Sequence, residues 1–116
     1  MLALCICLAG AGAVAQVATS QGNGAVLRGL DKLTGKATDL EIRDGEMASF
    51  GSVEVTVHEC RYPQGDPAGD AFAFLTVREA DEEEPAFRGW MIASSPALNA
   101  MEHQRYDVWV LRCTTS

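Results

Sequence analysis

The stretch Val53-Glu54-Val55-Thr56-Val57-His58-Glu59-Cys60 decides how this chain folds. Valine occupies alternate positions at its start, and polar residues stand between the valines, which is the pattern of a β-strand with one buried face. The pattern predicts a central strand whose valines face the core, with His58 and Cys60 together on the opposite face.

Alternation with a period of two recurs on both sides of this strand, and no long segment has the 3.6-residue period of an amphipathic helix. Ser94-Ser95-Pro96 predicts a short helix that runs to about His103, because serine caps helices and proline fits their first turn. We therefore predict an all-β domain, a small antiparallel sandwich or partly open barrel of about seven strands, with one short helix near the C-terminus. The other strands are expected near residues 26–30, 37–42, 46–50, 71–78, 87–93 and 106–113.

The N-terminal residues have the features of an export signal. Residues 2–14 are apolar and uncharged, and they lead into Ala13-Val14-Ala15, which fits a signal-peptidase site. We predict a signal peptide at 1–15, a flexible linker at 16–24 and a single β domain at 25–116, with a periplasmic location. Because a spanning helix needs about 20 apolar residues, we expect no stable membrane span after cleavage, the alternative being a retained anchor.

Cleavage after Ala15 would remove Cys5 and Cys7 and leave Cys60 and Cys113. Two cysteines in an oxidising compartment predict one disulfide, Cys60 to Cys113. The alternative is a metal site built on His58 and Cys60, but a structural zinc site usually needs four ligands and only Cys113 and His103 remain as further candidates. We therefore expect neither a metal nor a cofactor.

The charge balance narrows the classes of partner. The chain has 9 Lys and Arg against 16 Asp and Glu, a formal net charge of -7. Such a surface repels phosphate backbones, so nucleic acid is not an expected partner. The acidic run Glu79 to Glu84 is interpreted as a solvated turn, the alternative being a cation site.

No residue set forms a catalytic signature, so we expect no enzyme. A hydrolase using His58 or His103 with Ser94 or Asp107 is the less favoured alternative. Ser94 lacks the flanking glycines of a nucleophile elbow, which favours a capping role for it.

Aromatic residues concentrate in the C-terminal third of the chain. Trp90, Trp109, Arg88 and Tyr106 are candidates for binding a protein partner, because aromatic residues and arginine dominate interface energetics. The simpler interpretation of the aromatic residues is that they belong to the core.

Four stretches of the chain carry a resemblance to a known family. They are Leu27-Arg28-Gly29-Leu30-Asp31-Lys32, Glu59-Cys60-Arg61-Tyr62-Pro63, Gly89-Trp90-Met91 with Ala93-Ser94-Ser95-Pro96, and Tyr106-Asp107-Val108-Trp109. With them the chain resembles, from about Gly24 to Cys113, a family of short exported proteins of alpha-class proteobacteria, domain of unknown function 2155. The resemblance implies a periplasmic or envelope location and no established activity, substrate or catalytic residue.

These observations favour a non-enzymatic periplasmic protein-interaction module, such as an accessory component of an envelope complex, with a protein partner in the cell envelope. The alternative is a small exported inhibitor of a protease or lysozyme. An inhibitor needs a protruding loop that can plug a cleft, and Arg61 to Asp70 is the candidate for it.

Overall fold

The computed structural model describes residues 18–115, which form β-strands and no helix. The predicted all-β class is confirmed, and the predicted signal peptide lies outside the described residues. No helix among residues 18–115 is long and apolar enough to cross a bilayer. The strands are β1 (Thr19–Gln21), β2 (Gly24–Asp31), β3 (Ala37–Arg43), β4 (Met47–Phe50), β5 (Val53–Pro63), β6 (Phe72–Glu79), β7 (Pro85–Ile92) and β8 (Tyr106–Thr114).

The described strands form two separate antiparallel sheets. The larger sheet has the order β1-β5-β6-β7, and β4 also pairs with β5. The smaller sheet has the order β3-β2-β8. Side chains from both sheets meet in one core, so the two sheets depend on each other for burial.

The valines of β5 lie where the alternation predicted them. Val53, Val55 and Val57 are 0% exposed, and Leu75 of β6 lies opposite Val57. Complete burial of such a side chain stabilises the fold by about 1.5–3 kcal/mol relative to exposure. Leu27 of β2 is also 0% exposed, which brings the smaller sheet into the same core.

The C-terminal half of β5 departs from the prediction at His58. Val57 pairs with Leu75 and Glu59 pairs with Phe74, so His58 is an extra residue in a β-bulge. A bulge shifts the following side chains to the other face of the strand. The prediction that His58 and Cys60 share a face is therefore wrong: His58 is exposed, whereas Cys60 is 0% exposed and packs in the core.

A second bulge occurs in β8. Val26 pairs with Arg112 and Leu27 with Val110, which leaves Leu111 as the extra residue. The shift turns Cys113 into the core, where it is 5% exposed. Cys113 and Cys60 form a disulfide with a Cα–Cα distance of 5.6 Å, which joins the two sheets.

The predicted short helix near the C-terminus is not formed, and residues 93–105 are an irregular connection between β7 and β8. The segment has isolated turns, closed by hydrogen bonds from Ser95 N to Ile92 O (3.1 Å) and from Leu98 N to Ser95 O (3.0 Å). A short helix is stable only when it buries an apolar face. Leu98 is 73% exposed and Met101 is buried in the core, so the segment buries a single apolar side chain and not a helical face.

Residues 16–24 were expected to form a flexible linker, but Thr19–Gln21 is strand β1 and pairs with Arg61 to Pro63 at the end of β5. Gly22 N also donates to Cys60 O at 2.8 Å. The polar composition of the segment predicted a linker because β1 is too short to show alternation.

Candidate functional site

Four side chains meet on the outer face of the larger sheet, and we call them the Phe74 cluster: His58, Phe74, Arg88 and Trp90. The ring centroid of Phe74 lies 5.2 Å from that of His58 and 5.3 Å from that of Trp90. The Arg88 guanidinium carbon lies 5.4 Å from the centre of the Phe74 ring. Phe74 is therefore the centre of an aromatic surface that carries a cation.

Strand pairing places these side chains together. In β6 the buried residues alternate with outward-facing ones, so Leu75 enters the core while Phe74 and Thr76 point away from it. Phe74 lies directly opposite Trp90 of β7, and Thr76 lies opposite Arg88. Cross-strand aromatic pairs of this kind contribute about 0.2–1 kcal/mol to a sheet.

His58 reaches the cluster because of the bulge in β5. Bulges re-aim single side chains, and here the imidazole is directed along the outer face toward β6. Its Nε2 atom is hydrogen-bonded to Thr76 Oγ1 at 2.7 Å. The hydrogen bond and the ring contact with Phe74 together fix the orientation of the imidazole.

The outer members of the cluster are open to solvent. Trp90 is 40% exposed, and Arg88 is also exposed. Arg88 forms no ion pair among residues 18–115, so its charge is available to an incoming carboxylate or aromatic ring. Exposed tryptophan and arginine side chains on a rigid sheet are the residue types that dominate protein interfaces.

The four residues predicted to bind a partner do not form one surface. Trp90 and Arg88 belong to the Phe74 cluster. Tyr106 is 6% exposed and packs edge-on against Phe50, with ring centroids 5.3 Å apart, so its ring is a core contact. Trp109 lies on β8 in the smaller sheet, where it is half-buried and lines a groove.

His103 is held by hydrogen bonds at both ring nitrogens. Its Nδ1 atom accepts the backbone N–H groups of Arg105 and Tyr106, both at 3.0 Å. The proton therefore resides on Nε2, which donates to Glu79 Oε1 at 2.5 Å. The hydrogen bond from His103, followed in size by one from Ser52, holds the pKa of the Glu79 carboxyl below its usual value.

Ser94 is held by Asp70 rather than by a histidine. The Ser94 hydroxyl donates to Asp70 Oδ2 at 2.6 Å, and its backbone N–H donates to Asp70 Oδ1 at 2.9 Å. Burial raises the pKa of Asp70, but these hydrogen bonds and one from Ala71 N outweigh it and leave the pKa lowered. Ser94 therefore ties the connection after β7 to the loop before β6.

The residues considered for a metal site are also separated. Cys60 and Cys113 are joined in the disulfide, and His58 is hydrogen-bonded to Thr76 on the outer face. In the part of the chain that the structure describes, no three His, Cys, Asp or Glu residues are grouped to hold a metal ion.

The loop considered for an inhibitor is shorter than its composition predicted. Arg61 to Pro63 belong to β5, and only residues 64–71 remain outside a strand. Tight turns close this segment, with hydrogen bonds from Asp66 N to Pro63 O (2.9 Å) and from Gly69 N to Asp66 O (3.0 Å).

Sequence reasoning missed Phe74 and His58 as members of the surface. A signal for Phe74 was present, because Ala73, Leu75 and Val77 alternate with it and predict that it faces away from the core. No comparable signal existed for His58, whose position depends on the bulge and hence on the pairing of β5 with β6.

Comparison with known proteins identifies the family. A family model described as "Uncharacterized protein conserved in bacteria (DUF2155)" matches residues 25–113, and the chain belongs to this family. It is also 29% identical over 94 residues to the uncharacterized protein RP359 of Rickettsia prowazekii, which covers 78% of this chain and 60% of that protein. The chain thus spans less than two thirds of this curated relative. No solved structure is significantly similar to the chain.

Proposed function

We propose that this member of the family is a non-enzymatic protein-interaction module of the cell envelope and that it binds its protein partner through the Phe74 cluster. The observation that carries the proposal is that Trp90 is 40% exposed and packs on Phe74 beside Arg88, which forms no ion pair with any residue from 18 to 115. Burying this indole against a partner would remove a large apolar surface from water.

The cluster is well suited to binding because most of its side chains are already held in one position before a partner binds. Phe74 and Trp90 lie on paired strands, and the Trp90 carbonyl accepts a hydrogen bond from Asn99 Nδ2 at 2.7 Å. His58 is already hydrogen-bonded to Thr76. Side chains held in position before binding lose less conformational entropy on association.

The hydrogen bonds of the candidate catalytic groups support a non-enzymatic role. His103 uses one ring nitrogen to accept two backbone N–H groups and the other to bind Glu79. The Ser94 hydroxyl is bonded to Asp70, so no histidine takes its proton. A serine nucleophile of the histidine-assisted kind needs an imidazole within hydrogen-bond reach of its hydroxyl, and at Ser94 a carboxylate occupies that position.

An envelope location is supported by the disulfide and by the predicted signal peptide. Disulfides persist in oxidising compartments such as the periplasm and are rare in the reducing cytosol. The bond joins Cys60 and Cys113 inside the core, where both are almost fully buried.

The proposal is tested by affinity capture from envelope fractions of the producing cells, with the purified chain as bait. The W90A and R88A variants should each lose a partner that the unchanged chain captures in stoichiometric amount, because they remove the exposed parts of the cluster. L33A is the matched control, since Leu33 is 76% exposed and lies outside the cluster. A partner that W90A retains in full would refute the cluster as the binding surface.

A further inference from the structure

Among the strands within residues 18–115, β8 lies at the edge of its sheet. The strand pairs with β2, and no strand among those described pairs with its other edge. Outside that pairing, no backbone hydrogen bond within residues 18–115 involves residues 107–111. An open strand edge presents a row of backbone donors and acceptors that an extended chain can pair with.

The edge of β7 differs, because the connection after it covers part of that strand. The Asn99 side chain donates to the Trp90 carbonyl, and a β-carbon added to Gly89 would lie 3.0 Å from Asn99 Nδ2. The same connection also approaches β8, and residues of both line a groove. The connection thus covers part of the edge of β7 and lies beside the open edge of β8.

The groove beside β8 has a volume of about 490 Å³ and is lined mostly by apolar side chains. Its charged member is Asp107, which forms no ion pair or hydrogen bond among the described side chains. Asp107 and Trp109 are two residues apart on β8, so they lie on the same face of the strand. The lining residues are Pro96, Ala97, Ala100, Asp107, Val108 and Trp109.

These features specify the chemistry of an occupant. In a strand added to β8, two side chains that are two residues apart would lie beside Asp107 and Trp109. A basic side chain is favoured beside Asp107, and an apolar one is favoured beside Trp109. The formal net charge of -7 also disfavours a second copy of this chain at the edge and favours a basic segment.

We propose that the open edge of β8 binds an extended basic segment of a partner protein, which adds as a fourth strand to the smaller sheet. The main-chain hydrogen bonds of the added strand supply affinity, and the groove with Asp107 supplies selectivity. This docking site lies on β8, whereas the Phe74 cluster lies on the larger sheet, so either proposal can fail without the other.

The probe is the peptide acetyl-Thr-Lys-Thr-Val-Thr-Lys-Thr-amide, whose central valine has a lysine two positions away on each side. It offers the same pattern in either strand direction. Titration to about 1 mM, the weak end of specific affinity, is followed by amide chemical shifts of the labelled full chain. We expect the largest shifts at residues 107–111. No shift there, or shifts concentrated in the Phe74 cluster, would overturn the proposal.

Two N-methylated peptides test whether strand addition occurs. One is methylated at residues 2, 4 and 6 and the other at residues 3 and 5, so each blocks the N–H groups of one edge of the peptide. We expect one of the two to lose binding and the other to retain it. Equal binding of both would show a contact made by side chains alone and would overturn strand addition.

Variants of the chain distinguish peptide binding at the edge of β8 from general electrostatic attraction to the acidic surface. D107N should weaken binding of the lysine peptide about two- to fivefold, as expected for the loss of one solvent-accessible ion pair. D81N is the control, because Asp81 is a more exposed aspartate that lies in the turn after β6. W90A should bind the peptide normally. Equal weakening by D107N and D81N would contradict a site at β8.

Discussion

His58 in β5 and Leu111 in β8 occupy matching positions, because each is the extra residue of a β-bulge and stands two residues before a cysteine of the disulfide. Without the bulges, strict alternation would place Cys60 and Cys113 on the outer faces of their strands. The two bulges turn both cysteines inward, and the resulting Cα–Cα distance of 5.6 Å suits a disulfide.

Deleting His58 should leave the disulfide intact. Because His58 is the extra residue, its removal lets Glu59 follow Val57 in plain alternation and keeps Cys60 opposite Ala73 on the buried face. Intact mass after alkylation under denaturing, non-reducing conditions should show no modified thiol in the deletion variant. C60A is the control and should show one, because it leaves Cys113 without its partner. A deletion variant with two alkylated thiols would contradict this description of the bulge.

Replacing both cysteines by alanine should destabilise the domain by about 2–5 kcal/mol. The disulfide closes a loop with a sequence separation of 53 residues and so restricts the unfolded chain. Urea unfolding of C60A/C113A beside the oxidised chain measures the difference in free energy of unfolding. A difference below about 1 kcal/mol would mean that contacts in the core already hold β8 against β5.

Gly51 should tolerate alanine less well than Gly35. Both have a positive φ, +58° and +76°, which costs an L residue about 1–2 kcal/mol. A β-carbon at Gly51 would also overlap the phenol ring of Tyr106, whereas nothing lies within 4 Å of one at Gly35. Overpacking should add about 1–3 kcal/mol to G51A alone. Equal losses of unfolding free energy for G51A and G35A would contradict the close packing of Tyr106.

The bond between Glu79 and His103 should make stability depend on pH in the acidic range. Since the folded state lowers the pKa of Glu79, ionised Glu79 stabilises the fold above the usual glutamate pKa of about 4.3. That stability is lost as pH falls through the lowered pKa. E79Q should therefore show a flatter dependence of unfolding free energy on acidic pH, whereas the exposed control E83Q should not. Parallel curves for E79Q and the unchanged chain would contradict this.

The strand pattern was largely predictable because alternation reports burial locally. Val53, Val55 and Val57 predicted a core strand, and they are fully buried. The bulges were not predictable, because each depends on which residue of a distant strand lies opposite. Plain alternation therefore misplaced Cys60.

The short helix and the binding surface show where local signals fail. Ser94 is a residue type that often caps helices, yet here it is hydrogen-bonded to Asp70, 24 residues away in sequence. Trp90 and Arg88 were recognisable as surface candidates by residue type, but Phe74 completes the cluster only through the pairing of β6 with β7. In both cases a contact between distant residues decides the outcome.

The most direct test of the proposed function is photo-crosslinking in the producing cells, with a photoreactive phenylalanine analogue at position 90. Because Trp90 is 40% exposed, a bound partner should lie within reach of the probe. We predict one dominant crosslinked product from position 90 and none from the same probe at Leu33, which is 76% exposed. No product from position 90, or the same product from both positions, would contradict binding through the Phe74 cluster.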